Sequence, residues 1–168
     1  MYPDDMLSLS QIGNALSDSG IKFDIVGFDA CLMGTIETAY MLEPYADYLV
    51  ASEEYEPGTG WYYSEWLKNL SDNTSMPTVE IGKKIVEDYI NGPDSSFFDS
   101  NTLSIVDLRE IPYTYSKLCE TMQQEEGVLD SRYSVISQAR YNAKSFGDGE
   151  YEQIDIKSYL EECGKSDT

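Results

Sequence analysis

Three observations predict an α/β fold with a mainly parallel sheet. Apolar runs that read as strands alternate with segments of helical periodicity. The first strand, Ile25-Val26-Gly27-Phe28, leads directly into Cys31 and then into a helical pattern. A glycine-rich turn follows the second apolar run. Strands separated by helices pair in parallel and are covered on both faces.

The elements follow in order. Ser8 and Gln11 have capping-box spacing, Leu9, Ile12 and Leu16 recur at helical intervals, and Gly20 closes that first helix. Lys22–Phe28 reads as the first strand. Gly34 and Thr35 open a helix carrying Ile36, Ala39 and Tyr40, which runs to about Leu42 and stops before Pro44. Tyr48–Ser52 is the second strand, and the turn Glu56-Pro57-Gly58-Thr59-Gly60 is expected to be exposed and flexible. A helix with Trp61, Trp66 and Leu70 comes next. Thr78 is expected to cap another, carrying Ile81, Ile85 and Tyr89 and ending at Asn91-Gly92-Pro93. Leu103–Val106 is the third strand, followed by helices near 112–125 and 131–145 and a short one near 156–162. No internal repeat or low-complexity tract interrupts the chain. Three strands make a small sheet with a bare edge, so residues 1–168 are expected to form one partial domain.

Composition narrows the function classes. Aspartate and glutamate number 31 against 11 lysines and arginines, a formal net charge of −20. Nucleic-acid binding needs a basic footprint and is excluded on this ground. Cationic partners suit the charge, although most of these carboxylates read as a solubility device. No apolar stretch is long enough to span a bilayer, and the opening MYPDDMLSLS has neither a basic nor an apolar signal region. Cys31, Cys119 and Cys163 match neither a zinc pattern nor a disulfide framework.

Chemistry concentrates around Cys31. Open α/β sheets carry their sites outside the carboxyl ends of the strands. A cysteine there, near helix N–H groups, is placed to act as a thiolate nucleophile. A buried structural cysteine is the competing reading. The count of histidines is zero, so the usual partner base is not in this chain. Alternation on a strand puts Asp29 on the same side as Cys31 if the strand extends that far. Asp29 then either faces a pocket that awaits a lysine or arginine side chain, or caps the following helix. Ser52, Glu53 and Glu54 end the second strand, and Ser52 through Trp61 are placed to wall a cleft. Asp4, Asp5, Asp24, Asp29, Glu53, Glu54 and Glu56 offer oxygen ligands suited to calcium, but in no EF-hand spacing, so a calcium site stays open and unplaced. Cys119 reads as core, Cys163 as incidental, and the 14 tyrosines as packing and surface residues.

GFDACLMG at 27–34, ETAY at 37–40, ADYLVASEEYEPGTGW at 46–61 and TLSIVDL at 102–108 together resemble the clostripain family of cysteine peptidases. The pattern from Ala139 to Leu160, with its Asp-led helix, is similar too. The resemblance covers most of the chain. It implies a caspase-like three-layer αβα sandwich and a cysteine–histidine dyad with Cys31 as nucleophile. It implies that Asp29 lies in the S1 pocket and selects arginine or lysine at P1. Ser52, Glu53, Thr59 and Trp61 of the cleft wall are then the further candidates for substrate contact. A second S1 acid of some relatives falls where this chain has Thr59. The resemblance implies no cofactor for the chemistry, with calcium possible as an activator, and a secreted or cell-surface bacterial protein.

The family's histidine, followed by a glycine that helps form the oxyanion hole, stands on an earlier strand. Those N-terminal strands are expected to be missing here, as in the heavy product of a cleavage between histidine and cysteine. A gene fragment or an arbitrary boundary would look the same. The expected partners are basic peptide or protein substrates and the N-terminal half or light chain that carries the histidine. On this reading the chain alone is inactive. Two alternatives stand beside it: a non-catalytic caspase-like pseudoenzyme or acidic binding module, supported by the absence of histidine, and a flavodoxin-like ligand domain, weakened by the lack of a glycine-rich phosphate loop.

Overall fold

A computed structural model describes residues 6–92, 101–126, 129–148 and 153–165. The chain divides into two compact units, Met1–Pro112 and Tyr113–Thr168.

The first unit begins with α1 (Leu9–Ser19), whose start is the expected capping box. Ser8 accepts from the Gln11 amide and Gln11 accepts from the Ser8 amide, while Gly20 ends the helix in the left-handed region. Such a cap contributes about 1 kcal/mol. β1 (Phe23–Gly27), α2 (Ile36–Leu42) and β2 (Ala46–Ala51) form a βαβ unit with parallel strands, in the register Ile25↔Tyr48 and Gly27↔Val50. α3 (Tyr63–Asp72) and α4 (Thr78–Asn91) follow, then β3 (Ser104–Asp107) and a 3-10 turn, Leu108–Glu110.

The sheet order is β1-β2-β3, but β3 runs antiparallel to β2, with Leu49↔Val106 and Val50↔Ile105 paired. The mainly parallel sheet expected from alternation is therefore corrected: one of its two pairings is antiparallel. Apolar periodicity is the same in either strand direction, and antiparallel edge strands are common on otherwise parallel sheets.

A core covers each face of this sheet. Leu49 and Ala51 point one way and pack with Ala39, Leu42, Leu108 and Ile111, joined by Leu16 of α1. Val50 points the other way and packs with Trp61, Ile85, Tyr89 and Leu103. Alternation along β2 thus feeds both cores, as a buried central strand should. Leu42, Leu49 and Leu108 are fully buried, and each contributes about 2 kcal/mol on transfer from water.

Small differences at the helix ends have local causes. Thr78 is not a cap. It is already inside α4, and Pro77 takes the cap position without a side-chain hydrogen bond, as suits a residue whose φ is fixed by its ring. Trp61 precedes α3 rather than lying in it.

The second unit contains most of α5 (Ile111–Glu126), α6 (Leu129–Asn142), a short antiparallel pair β4 (Ser145–Phe146) and β5 (Gln153–Ile154), and α7 (Ile156–Lys165). The helices fall where the periodicity placed them, but the two-residue strands left no pattern to read. Asp155 starts α7 by accepting from the Ser158 amide at 2.7 Å. Cys119 and Cys163 are free and half-buried, on α5 and α7.

Candidate functional site

The site is built where β1 and β2 leave the sheet side by side. The Phe28 amide still donates to the Val50 carbonyl at 2.9 Å, so the two exits start in register. Beyond them the loops stay stitched together: Leu32 N–H donates to Glu54 O at 3.2 Å and Gly34 N–H to Ser52 O at 2.7 Å. Gly34 is required for that approach, since a Cβ there would fall 2.9 Å from the backbone of Ser52 and Glu53.

Cys31 is exposed, in the turn between β1 and α2. Its neighbour Leu32 has φ 62°, a strained value for a branched side chain. Two expectations are corrected here. Neither Asp29 nor Cys31 lies on the strand, which ends at Gly27, so strand alternation does not place them. Cys31 is also not at the start of a helix, because α2 begins at Ile36 and is capped by Thr35, whose hydroxyl accepts from the Thr38 amide. The sulfur instead meets the second loop. The Glu56 amide donates to Sγ at 3.3 Å, and the Glu56 carbonyl lies 3.8 Å from it.

Asp29 is exposed too, and it caps nothing local. Its two oxygens accept from the backbone N–H of Trp61 at 3.2 and 3.1 Å, and Oδ2 also accepts from the Tyr63 hydroxyl at 2.9 Å. Gly60 makes room for this. It has φ 72°, and a Cβ there would fall 2.6 Å from Oδ2 of Asp29. The Gly60 amide closes the turn onto the Pro57 carbonyl at 2.9 Å. Trp61 is buried, with its indole packed over the backbone of Gly27 and its Nε1 donating to Oε1 of Glu56 at 3.3 Å. Its ring stacks on Tyr63, and Tyr63 meets Trp66 at a tilt.

Asp29, Cys31 and Trp61 are therefore gathered at one rim. Thr59 sits exposed at the tip of the turn beside them. Ser52 and Glu53 are engaged elsewhere. Ser52 is fully buried, and its hydroxyl is shared between the Glu54 backbone and the Thr102 hydroxyl. Glu53 accepts from the Ser104 hydroxyl at 2.6 Å, and its amide donates to Thr102. These two residues, with Thr102, fix the exit of β2.

Two residues stand beside Asp29 in roles that sequence reasoning did not foresee. Glu56 was read only as part of the cleft-walling turn and as an oxygen donor. Burial pushes its carboxyl up to about 7, with Asp29 adding to the rise and the Trp61 hydrogen bond opposing it. Its Oε2 is buried without a partner. Tyr63, one of many tyrosines, holds Asp29, and burial and then Asp29 push its hydroxyl up to about 12, so it stays a donor at neutral pH. The motif EPGTGWYY, read against Asp29, was the available signal.

The donor set does not assign calcium. Among the described residues no three acidic, cysteine or histidine side chains come together to hold a metal ion, and Asp4 and Asp5 lie outside the described residues. No helix among the described residues is long and apolar enough to cross a membrane.

An exposed thiol held by a backbone amide thus stands in the same loop as a carboxylate fixed by the loop after β2. The clostripain family model matches residues 2–165. No curated protein matches the chain by sequence. Among solved structures, a clostripain from Bacteroides thetaiotaomicron in complex with the peptide inhibitor BTN-VLTK-AOMK is similar with TM-score 0.63 and 16% identity, over 96% of this chain and 67% of that one. A cysteine protease from B. fragilis is similar with TM-score 0.62 and 14% identity, over 99% and 68%. A secreted C11 cysteine protease from Bacteroides thetaiotaomicron gives TM-score 0.60 and 17% identity, over 94% of this chain and 41% of that one. The chain thus spans about two thirds of the first two proteins and less than half of the third.

Proposed function

The chain belongs to the clostripain family, and from that membership we propose that it carries the nucleophile and the specificity acid of a cysteine endopeptidase that cleaves after arginine or lysine. The observation that carries the proposal is that Cys31 and Asp29, in the loop after β1, are each held by a backbone amide of the loop after β2.

In this reading the Cys31 thiolate attacks the scissile carbonyl and forms an acyl-enzyme, the leaving amine takes a proton from a histidine, and water then releases the acyl group. Asp29 receives the P1 cation. The Trp61 amide and the Tyr63 hydroxyl hold its carboxylate in place before substrate arrives, which lowers the ordering cost of binding. A structurally similar protein was captured with a VLTK peptide inhibitor, which supports a lysine in the corresponding position here.

The histidine and the glycine amide of the oxyanion hole are proposed to come from outside residues 1–168, since the chain holds no histidine. On this proposal, strands of such a segment would complete a caspase-like three-layer sandwich in which residues 1–168 form one partial domain. Secretion is part of the same proposal, as a similar protein is described as secreted. The pure chain is expected to leave an arginyl-amide fluorogenic substrate intact, and the full protein to cleave it. Turnover by the chain alone that is lost in Cys31→Ala would overturn the need for an outside base. A non-catalytic module is favoured instead if the open reading frame upstream encodes no histidine-glycine after a strand.

A further inference from the structure

Resting on the reading that Asp29 receives the P1 cation, we propose that Tyr63 fixes how that cation is received. Together with the Trp61 amide it occupies Asp29 so that a single oxygen, Oδ1, is left for the substrate. The seat is then end-on, and lysine and arginine are accepted alike.

A carboxylate has about four acceptor positions, two on each oxygen. An arginine fork takes two of them at once, one on each oxygen, along the edge that the oxygens share. In Asp29 that edge is already filled. The Trp61 amide nitrogen lies 3.2 Å from Oδ1 and 3.1 Å from Oδ2. Such near-equal distances place it between the two oxygens, where the centre of a fork would stand. The Tyr63 hydroxyl adds a third contact, to Oδ2 at 2.9 Å. These are the donors to Asp29 among the described residues. Oδ1 carries only its share of the amide. An ammonium, or one N–H of a guanidinium, meets it equally well.

The surrounding fold keeps both donors in place. Gly60 backs the carboxylate, since a Cβ there would fall 2.6 Å from Oδ2 and 3.0 Å from Oδ1, so the group has no retreat on that side. Trp61 is buried. Tyr63 is the first residue of α3, and its ring meets those of Trp61 and Trp66 at centroid distances of 6.2 and 5.7 Å. The two donors act differently on the carboxyl. Either oxygen can satisfy the amide, so the amide tolerates a turn about Cβ–Cγ. The phenol holds Oδ2 itself and opposes that turn. Tyr63 is thus a positioning residue that denies arginine its planar pairing, the feature that separates it from lysine at a carboxylate.

The test measures kcat/KM in the full protein for three peptides that differ only at P1, carrying arginine, lysine or citrulline. Arginine and lysine are expected to agree within about tenfold, and both to exceed citrulline. In Tyr63→Phe the ratio of arginine to lysine is expected to rise about fivefold or more, because the released carboxyl can turn its shared edge to a fork that lysine cannot make. The rise is expected in KM rather than kcat, with citrulline turnover retained. A loss of packing alone would lower all three substrates together and leave the ratio unmoved. A preference for arginine above about tenfold in the parent would overturn the end-on seat, as a forked pairing would then be at work. A ratio unmoved, or moved towards lysine, in Tyr63→Phe would overturn the role of Tyr63. Either result leaves Asp29 as the acid that selects a basic residue. Citrulline cleaved as well as arginine and lysine would overturn the seating of the cation at Asp29 and this proposal with it. The parent ratio decides between an end-on and a forked seat even if Tyr63→Phe does not fold.

Discussion

The two faces of the first unit's sheet are built from different materials. On one face Leu42, Leu49 and Leu108 are fully buried among other aliphatic side chains. On the other, Trp61, Tyr89 and Trp66 pack around Val50 and Ile85. Buried polar atoms without partners gather on that second side: Glu56 Oε2, Trp66 Nε1, Asp88 Oδ2 and the Tyr89 hydroxyl. The first face is closed and apolar, so its contribution is stability. The second includes Trp61, whose backbone and indole N–H groups reach Asp29 and Glu56 in the loops beside Cys31.

The sharpest separation of the two faces comes from Cys31→Ala in the full protein. Peptidase activity is expected to fall at least about a thousandfold, the loss of a nucleophile, while thermal unfolding barely moves because the thiol is exposed. Leu42→Ala should do the reverse. It leaves a cavity in the aliphatic core and is expected to cost about 3 kcal/mol, read by urea unfolding, with kcat/KM of the folded fraction retained. Equal effects of these two variants on both readouts would erase the contrast.

Gly60→Ala is expected to be intermediate and to touch both properties. It places a side chain at φ 72° and against Asp29, so about 1–2 kcal/mol of stability should be lost together with preference for basic P1 residues. Glu56→Gln gives the smallest change, and of opposite sign. The folded carboxyl titrates near 7, raised by burial from an ordinary 4.5. A raised acid favours the folded state below its unfolded value and loses that contribution as pH climbs through the folded one. The amide does not titrate, so the variant should match the parent at pH 4 and exceed it by about 1 kcal/mol at pH 8, after allowance for solvent around a half-buried group. Thermal melts at both pH values check it.

What could be read from the residues alone was what local chemistry decides. Ser8 and Gln11 are three apart, and their reciprocal bonds need only a helix. Leu9, Ile12 and Leu16 mark one face of it at helical spacing. Asp29 and Cys31 were read as neighbours on one face of a strand, but that argument failed, because β1 stops at Gly27 and both lie in the loop after it. What joins them is long-range: the Leu32 amide on Glu54, and the Trp61 amide on Asp29. Such bonds leave no periodicity. The contacts of Glu56 and Tyr63 went unread for the same reason, since both depend on a turn whose shape needs Gly60. Ser52 and Glu53 looked like cleft residues because they end a strand, and only the distant Thr102 shows where their polar atoms go. The direction of β3 was invisible because alternation has no polarity.

The most direct measurement is the ratio of kcat/KM for a P1 arginine peptide to that for its neutral isostere, P1 citrulline, in the full protein and in Asp29→Asn. The ratio is expected to collapse by about a hundredfold or more in the variant, with citrulline turnover nearly unchanged, as befits loss of a charge-assisted contact. A ratio that stays the same when Asp29 becomes neutral would contradict the seating of the P1 cation beside Cys31.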